Sequence, residues 1–403
     1  MFRLIALAWR YLWSQPLTAA LNLLLLSLGL GAISFVILVS EQVEQAVTRD
    51  LAGIDLVVGA KGSPMQIMLA GVFHLDVPTG NIPLATLELL RKQPLVARAI
   101  PLSLGDSLQG YRIVGSTPEY LDLYQAKPAV GRVWQAPLEA VLGAEAAQRS
   151  GLTVGAQFAS SHGLAGQGDA HEDRRYTVVG VLARSGTVLD RLVLTGLESV
   201  WAVHEHGDEH DDDHVDAELD ARREITMALV SYRGPLGAAM LPRWVNAQPG
   251  LQAAAPALET ARLLRMVGAG TEVLRGFGVL LLLAAGLSVF VAMLHAVRER
   301  RNDLAMMRML GAPPARVAGL VAAEALCLGV VATVLGLALG HGLTHGLGLI
   351  LAAQQSIMVT GGWWSVREWS VPALAVLLAL LSAALPAWSA FRLDVTQLLQ
   401  TPR

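Results

Sequence analysis

Hydrophobic positions along this chain gather into four long blocks instead of spreading evenly. No charged residue occurs between Tyr11 and Ser40, and the densest leucine run is Leu17–Val39. A second block lies between Arg275 and Arg298, and a third runs from Val317 to Leu339 with Glu324 as its one interruption. The fourth is Ser370–Phe391, with Pro386 near its end. At 1.5 Å rise per residue, roughly 20 residues cross a hydrocarbon core, so each block predicts a membrane-spanning helix. Pro386 is compatible with such a helix because neighbouring groups can satisfy the carbonyl it frees. The glycine- and leucine-rich stretch Gly340–Ala353 either extends the third span or forms a short re-entrant or interfacial helix. The first block is too long for the apolar part of a secretory signal and no clear cleavage site follows, so it reads as an uncleaved anchor.

Between the first two blocks the pattern changes to short β-branched runs. Asp55–Val58, Tyr111–Gly115, Tyr176–Leu182, Leu192–Leu194 and Ile225–Tyr232 predict strands. Leu84–Lys92, Leu138–Ser150, Leu197–Val203 and Leu236–Asn246 predict helices, so the segment is expected to be a mixed α/β domain. Gly155–His171 and His204–Asp220, rich in glycine or charge, read as loops. Glu41–Leu51 lacks Pro and Gly and is expected to continue the first helix, as Leu258–Val273 leads into the second. Ahead of the first block, Phe2, Ile5, Trp9 and Trp13 recur at helical spacing with Arg3 and Arg10 on another face, a pattern for a helix lying in the membrane surface.

Charge gives the blocks a direction. Arg3 and Arg10 precede the first block, and Arg298, Arg300, Arg301, Arg308 and Arg316 fall between the second and third. Arg392 and Arg403 follow the fourth, whereas the third and fourth are joined through Arg367 beside Glu368. Positive residues mark the cytoplasmic side, so both termini and the middle loop are expected inside and residues 41–272 outside. Trp363, Trp364 and Trp369 then sit where an aromatic belt is expected. With hydrophobic residues at 53%, charged residues at 16% and mean hydropathy +0.48, the composition excludes a wholly soluble chain. A net charge of −3 gives no footprint for nucleic acid. Cys327 is the single cysteine, which excludes an intrachain disulfide and a Cys-based zinc site.

No hydrolase or metalloprotease motif is present. The nearest imitation of a phosphate loop is Gly59-Ala60-Lys61-Gly62-Ser63, but its lysine precedes the second glycine and Pro64 follows Ser63. It reads as a turn that positions backbone, so any ATP hydrolysis is expected in a partner chain. Glu324, about two turns past Arg316, reads either as a coupling residue near the cytoplasmic end of its span or as a polar contact between helices. His295, His341 and His345 at span ends read as interfacial polar residues. The run from His204 to Asp220 places His206, His210 and His214 four apart, so one helical turn would share a face among three imidazoles. With His204 they form a candidate site for Zn2+ or another divalent transition metal, against the alternative of a solvated acidic loop. His162 and His171 would complete it if the two loops meet.

The segment Glu299-Arg300-Arg301-Asn302-Asp303-Leu304-Ala305-Met306-Met307-Arg308-Met309-Leu310-Gly311-Ala312 resembles the signature that joins the second and third spans of FtsX-like and MacB-like ABC transporter permeases. Glu324 falls where that family carries a glutamate, and Pro386–Val395 resembles its closing run, with Val395 where proline is commoner. Val141–Glu145 and Tyr176–Leu182 resemble parts of the MacB-type periplasmic core. The resemblance implies an α+β membrane protein with four transmembrane helices and a mixed α/β periplasmic domain between spans one and two. The corresponding map is an interfacial helix at 1–16, span one at 17–40, the periplasmic domain at 41–272 and span two at 276–297. A coupling loop follows at 298–316, then span three at 317–339, a periplasmic loop at 340–369, span four at 370–391 and a tail at 392–403. It further implies an inner-membrane permease subunit, paired as a homodimer or pseudo-dimer on separate cytoplasmic ABC ATPase subunits, with mechanical transmission as a mode and a periplasmic protein as a candidate partner. The residues it assigns to ATPase coupling are Arg300, Arg301, Leu304, Met307, Arg308, Leu310, Gly311 and Glu324, of which Leu304, Met307 and Leu310 are expected to offer an apolar face. The alternative is a membrane scaffold or sensor that regulates a periplasmic partner without transport.

Overall fold

The computed structural model describes residues 2–162, 170–204, 223–353 and 359–392. In chain order its elements begin with α1 (Phe2–Leu12), α2 (Pro16–Asp50), β1 (Leu56–Ala60), α3 (Pro64–Gly71), β2 (Ile82–Pro83), α4 (Ala85–Arg91), β3 (Val96–Leu108), β4 (Tyr111–Ser116) and α5 (Glu119–Leu123). They continue with β5 (Pro128–Gly131), β6 (Glu139–Leu142), α6 (Ala144–Ser150), β7 (Gln157–His162), β8 (Ala170–Leu182), β9 (Val193–Gly196) and α7 (Leu197–His204). The last are β10 (Glu224–Ile225), β11 (Met227–Tyr232), α8 (Pro235–Asn246), β12 (Leu251–Ala254), α9 (Pro256–Glu299), α10 (Arg301–Met309), α11 (Pro314–Ala353) and α12 (Ser370–Phe391). The chain divides into two compact units, residues 45–265 and the remainder.

The helical unit holds the four apolar blocks. They lie in α2, α9, α11 and α12, the helices among the described residues that are long and apolar enough to cross a membrane. Gly340–Ala353 is the last part of α11 and not a separate helix. Glu41 to Asp50 continues α2 without a break, and α9 likewise begins well ahead of its apolar block. Small residues set the packing, as expected where lipid removes most of the hydrophobic drive for helix association. A side chain added at Gly336 would lie 2.7 Å from Cβ of Leu30, and one at Gly340 would lie 3.1 Å from the carbonyl oxygen of Gly31. The helices α2 and α11 therefore touch backbone to backbone along Gly31, Gly336 and Gly340. Leu26, Leu30, Leu282, Val289, Leu328 and Ala379 fill the centre of the bundle. One face of α1 is buried through Ala8 and Leu12, while Ile5, Trp9 and Trp13 stay exposed.

The other unit is built on a sheet whose described strands run β12-β1-β11-β3-β4-β9-β6-β8-β5, with β7 joining β3 to β8. Two neighbouring pairs, β4 with β9 and β6 with β8, are parallel and the other pairs antiparallel. The central strands are covered on both faces, so Leu56–Val58 and Met227–Val230 are buried without alternation.

Two sequence expectations change here. Leu138–Ser150 splits into β6 and α6 at Gly143, where a side chain would meet the carbonyl oxygens of Leu189 and Asp190. Gly155–His171, expected as a loop, contributes β7 and the start of β8. The Gly59–Ser63 turn leads into α3, which Ser63 caps and Pro64 begins.

Candidate functional site

The segment between α9 and α11 folds into α10, nine residues long. Its stop is built by Gly311, whose φ of +92° suits glycine. The Gly311 N–H donates to Arg308 O and the Ala312 N–H to Met307 O, each at 3.0 Å, closing the helix with a Schellman turn. Pro313 and Pro314 follow, and Pro314 begins α11.

Arg300 sits at the head of this segment and uses its guanidinium in two directions. Nη1 donates to Glu324 on α11, at 3.1 Å to one carboxylate oxygen and 3.4 Å to the other. Nη2 donates to the Tyr11 carbonyl at 2.8 Å and to Ser14 Oγ at 2.6 Å. The guanidinium also lies 4.3 Å from the centre of the Tyr11 ring, a cation–π contact. Beside it, Gln15 Nε2 donates to Glu299 at 2.5 Å. Glu324 is 5% exposed, so this is a buried ion pair with further hydrogen bonds on the arginine. Removing one partner of such a pair costs about 3–5 kcal/mol, because the other charge stays buried.

The apolar face of α10 differs from the one expected. Leu304 is 3% exposed and packs into the bundle core, and Met307 is half-buried against the same core. These two hold α10 to its own bundle and are not available to a partner. The face α10 leaves open is Met306, Met309 and Leu310, which are 52%, 53% and 89% exposed. Arg301 is exposed and Arg308 half-buried. Sequence reasoning missed Met306 and Met309, together with Tyr11, Ser14 and Gln15. The signal for the methionines was present, since a helix apolar at 304, 306, 307, 309 and 310 has apolar positions on two sides.

Of the metal candidates, His204 ends α7, and His206, His210 and His214 lie outside the described residues. Arg174 on β8 donates to the Ala202 carbonyl of α7, which sets the two strand and helix ends that border the His-containing segments side by side.

Comparison with known proteins places two family models on the chain. The MacB-like periplasmic core domain matches residues 19–231, more than half of the sequence, and the FtsX-like permease C-terminal model matches residues 275–395. Among solved structures, the periplasmic region of MacB from Actinobacillus actinomycetemcomitans is 12% identical, with TM-score 0.35, covering 54% of this chain and 97% of that one. The extracellular domain of the noncanonic ABC-type transporter YknZ from Gram-positive bacteria is 11% identical, with TM-score 0.29, covering 50% of this chain and 98% of that one. No curated protein matches.

Proposed function

Because this chain belongs to the FtsX-like permeases with a MacB-like periplasmic core domain, a family of ABC transporter permeases, we propose that it is the inner-membrane permease subunit of an ABC transporter. In this reading a separate cytoplasmic ATPase hydrolyses ATP and docks on α10. Its motion passes through α2 and α9 to the periplasmic domain, in a complex containing two permease copies. Arginines flanking the spans support cytoplasmic termini and a cytoplasmic α10. The observation that carries the proposal is the exposed face Met306, Met309 and Leu310 on a helix whose opposite side is anchored by Leu304 and Arg300. Flexible methionines suit a surface that must stay engaged while its partner changes shape. An unpaired charge placed in an apolar contact costs several kcal/mol. The double variant Met309→Glu with Leu310→Glu should therefore insert normally and lose co-purification of the ATPase. Undiminished co-purification would end this assignment. Leu304→Glu, by contrast, should lower the stability of the bundle itself.

A divalent-metal role belongs to the same proposal. The adjacency of α7 and β8 supports a site that draws on His204, His206, His210 and His214, with His162 and His171 as further candidates. Imidazole nitrogen suits Zn2+, and binding should weaken below about pH 6 as the rings protonate. Calorimetry with Zn2+ on the full chain, repeated with the four loop histidines changed to Ala, checks it. Equal binding by both proteins would leave the loop without a metal.

A further inference from the structure

Just ahead of α12 the chain reads Ser365-Val366-Arg367-Glu368, the spacing of a capping box. The Arg367 N–H donates to Ser365 Oγ at 3.0 Å, and the Ser365 N–H donates to the Glu368 carboxylate at 3.1 Å. The turn this fixes, Val366–Trp369, buries Glu368 and leaves Val366 and Trp369 exposed. Between that turn and α11 lies a cavity of about 260 Å³, with Leu337, Trp364, Val366, Trp369 and Pro372 as its apolar walls. An apolar cavity of about 150 Å³ already admits benzene, so this one has room for part of a hydrocarbon chain.

The two polar residues of the lining are engaged elsewhere. Ser365 Oγ donates to Glu41 of α2, and the Glu368 carboxylate accepts from Ser34 Oγ of α2 at 2.8 Å as well as from the Ser365 N–H. The cavity therefore offers an occupant hydrocarbon contact in place of hydrogen bonds. Its mouth is continuous with the outer face of two membrane-crossing helices, where Val334 of α11 and Leu377 of α12 are exposed. The solvent of such a face is lipid. Trp364 and Trp369, both exposed at the mouth, are the amphipathic rings that sit at headgroup level. Arg367, between them in sequence, is also exposed, and among the described residues its guanidinium forms no ion pair. A guanidinium in that place matches the geometry of a phosphate.

We propose that this cavity is a binding site for one membrane phospholipid, with an acyl chain between Leu337 and Trp369 and the headgroup phosphate on Arg367. The chain fills the gap between α11 and the turn ahead of α12, and the arginine selects a phosphate-bearing head over a neutral one. Volume, apolar walls and position at the lipid-facing surface call for the chain, and the unpaired cation at the mouth calls for the phosphate. The site does not depend on which side of the membrane this end of the bundle faces.

The full chain in dodecyl maltoside, with its indoles labelled with 15N, is titrated with dioleoyl phosphatidylglycerol. The Trp364 and Trp369 indole signals, identified through Trp364→Phe and Trp369→Phe, should shift and saturate at a single lipid per chain. Dodecyl maltoside carries hydrocarbon without phosphate and serves as the reference occupant. Arg367→Gln should weaken the phospholipid roughly tenfold, the effect of losing a charge-assisted hydrogen bond, and leave the response to added maltoside unchanged. Trp369→Ala, which removes a wall, should weaken both. Because Arg367 and Trp369 are exposed, neither change removes packing from the bundle core. Indole signals that ignore the lipid, or that drift without saturating, overturn the proposal. So does an unaltered phospholipid affinity in Arg367→Gln. Shifts that follow protein concentration instead of lipid would overturn it too, by giving this face to a second copy of the chain.

Discussion

His74 shows what burial does to a single titratable group. It lies in the sheet unit, 7% exposed, with Nε2 3.1 Å from Tyr120 Oη. Burial, and then the nearby Arg112 and Arg191 charges, hold its pKa well below 6.5. The unfolded chain therefore binds a proton below pH 6.5 that the folded domain refuses. The stability linked to His74 is fully present above that value and is lost as pH falls through it toward the folded pKa. Exchange of the α3 amides in the full chain should report an opening free energy that drops by at most about 1.4 kcal/mol per pH unit below 6.5. His74→Asn should flatten this slope, and asparagine tolerates the φ of +55° found there. An unchanged slope would assign the proton to another group. Nothing in the sequence separates His74 from any other histidine, because its hydrogen-bond partner Tyr120 and the nearby Arg112 charge are both distant along the chain. The Arg300–Glu324 pair was half legible, since both residues stand in the family pattern while Tyr11 and Ser14 do not.

At the scale of elements, the spans were readable because an apolar run of roughly 20 residues has few other uses. Their contact faces were not. The stretch from Gly340 reads as either an extension of the third span or a short separate helix; the structure has the extension, and uses Gly340 with Gly336 to bring α11 against α2. Gly336→Ala should push Cβ into that of Leu30, an anchored atom with no rotamer to escape by, and overpacking of this kind costs about 1–3 kcal/mol. The thermal midpoint of the full chain in detergent should fall. The same change at Gly319, which has open space, should not lower it. Strand β3 escaped notice because Pro101 and Gly105 interrupt its β-branched pattern, and proline inside a run argues against a strand. In the fold β3 is irregular, with a register shift between Leu104 and Ser107.

For the whole molecule, the sequence carried the number of spans and the mixed character of the inserted domain, but not the order of its strands. Pairing β3 with β11 joins Ile100 to Leu229, and no local pattern encodes such a distance. Orientation remains the most consequential expectation. With Cys327 changed to Ser, a cysteine at the exposed Thr153 should react with an impermeant reagent from the periplasm, and one at Asn302 should not. The reverse labelling would remove the ATPase from α10. The sheet also constrains what any force on this domain can do. Val57 of β1 stands opposite Ala254 of β12, so the chain arrives at and departs from adjacent strands at the same end. Antiparallel neighbours loaded apart at one end open rung by rung, like a zipper, and each rung resists alone. Loaded in step, the two strands share tension with the ladder to β11 behind them. The pair is thus weak to a force that parts the two strands at that end and stronger to a pull they share.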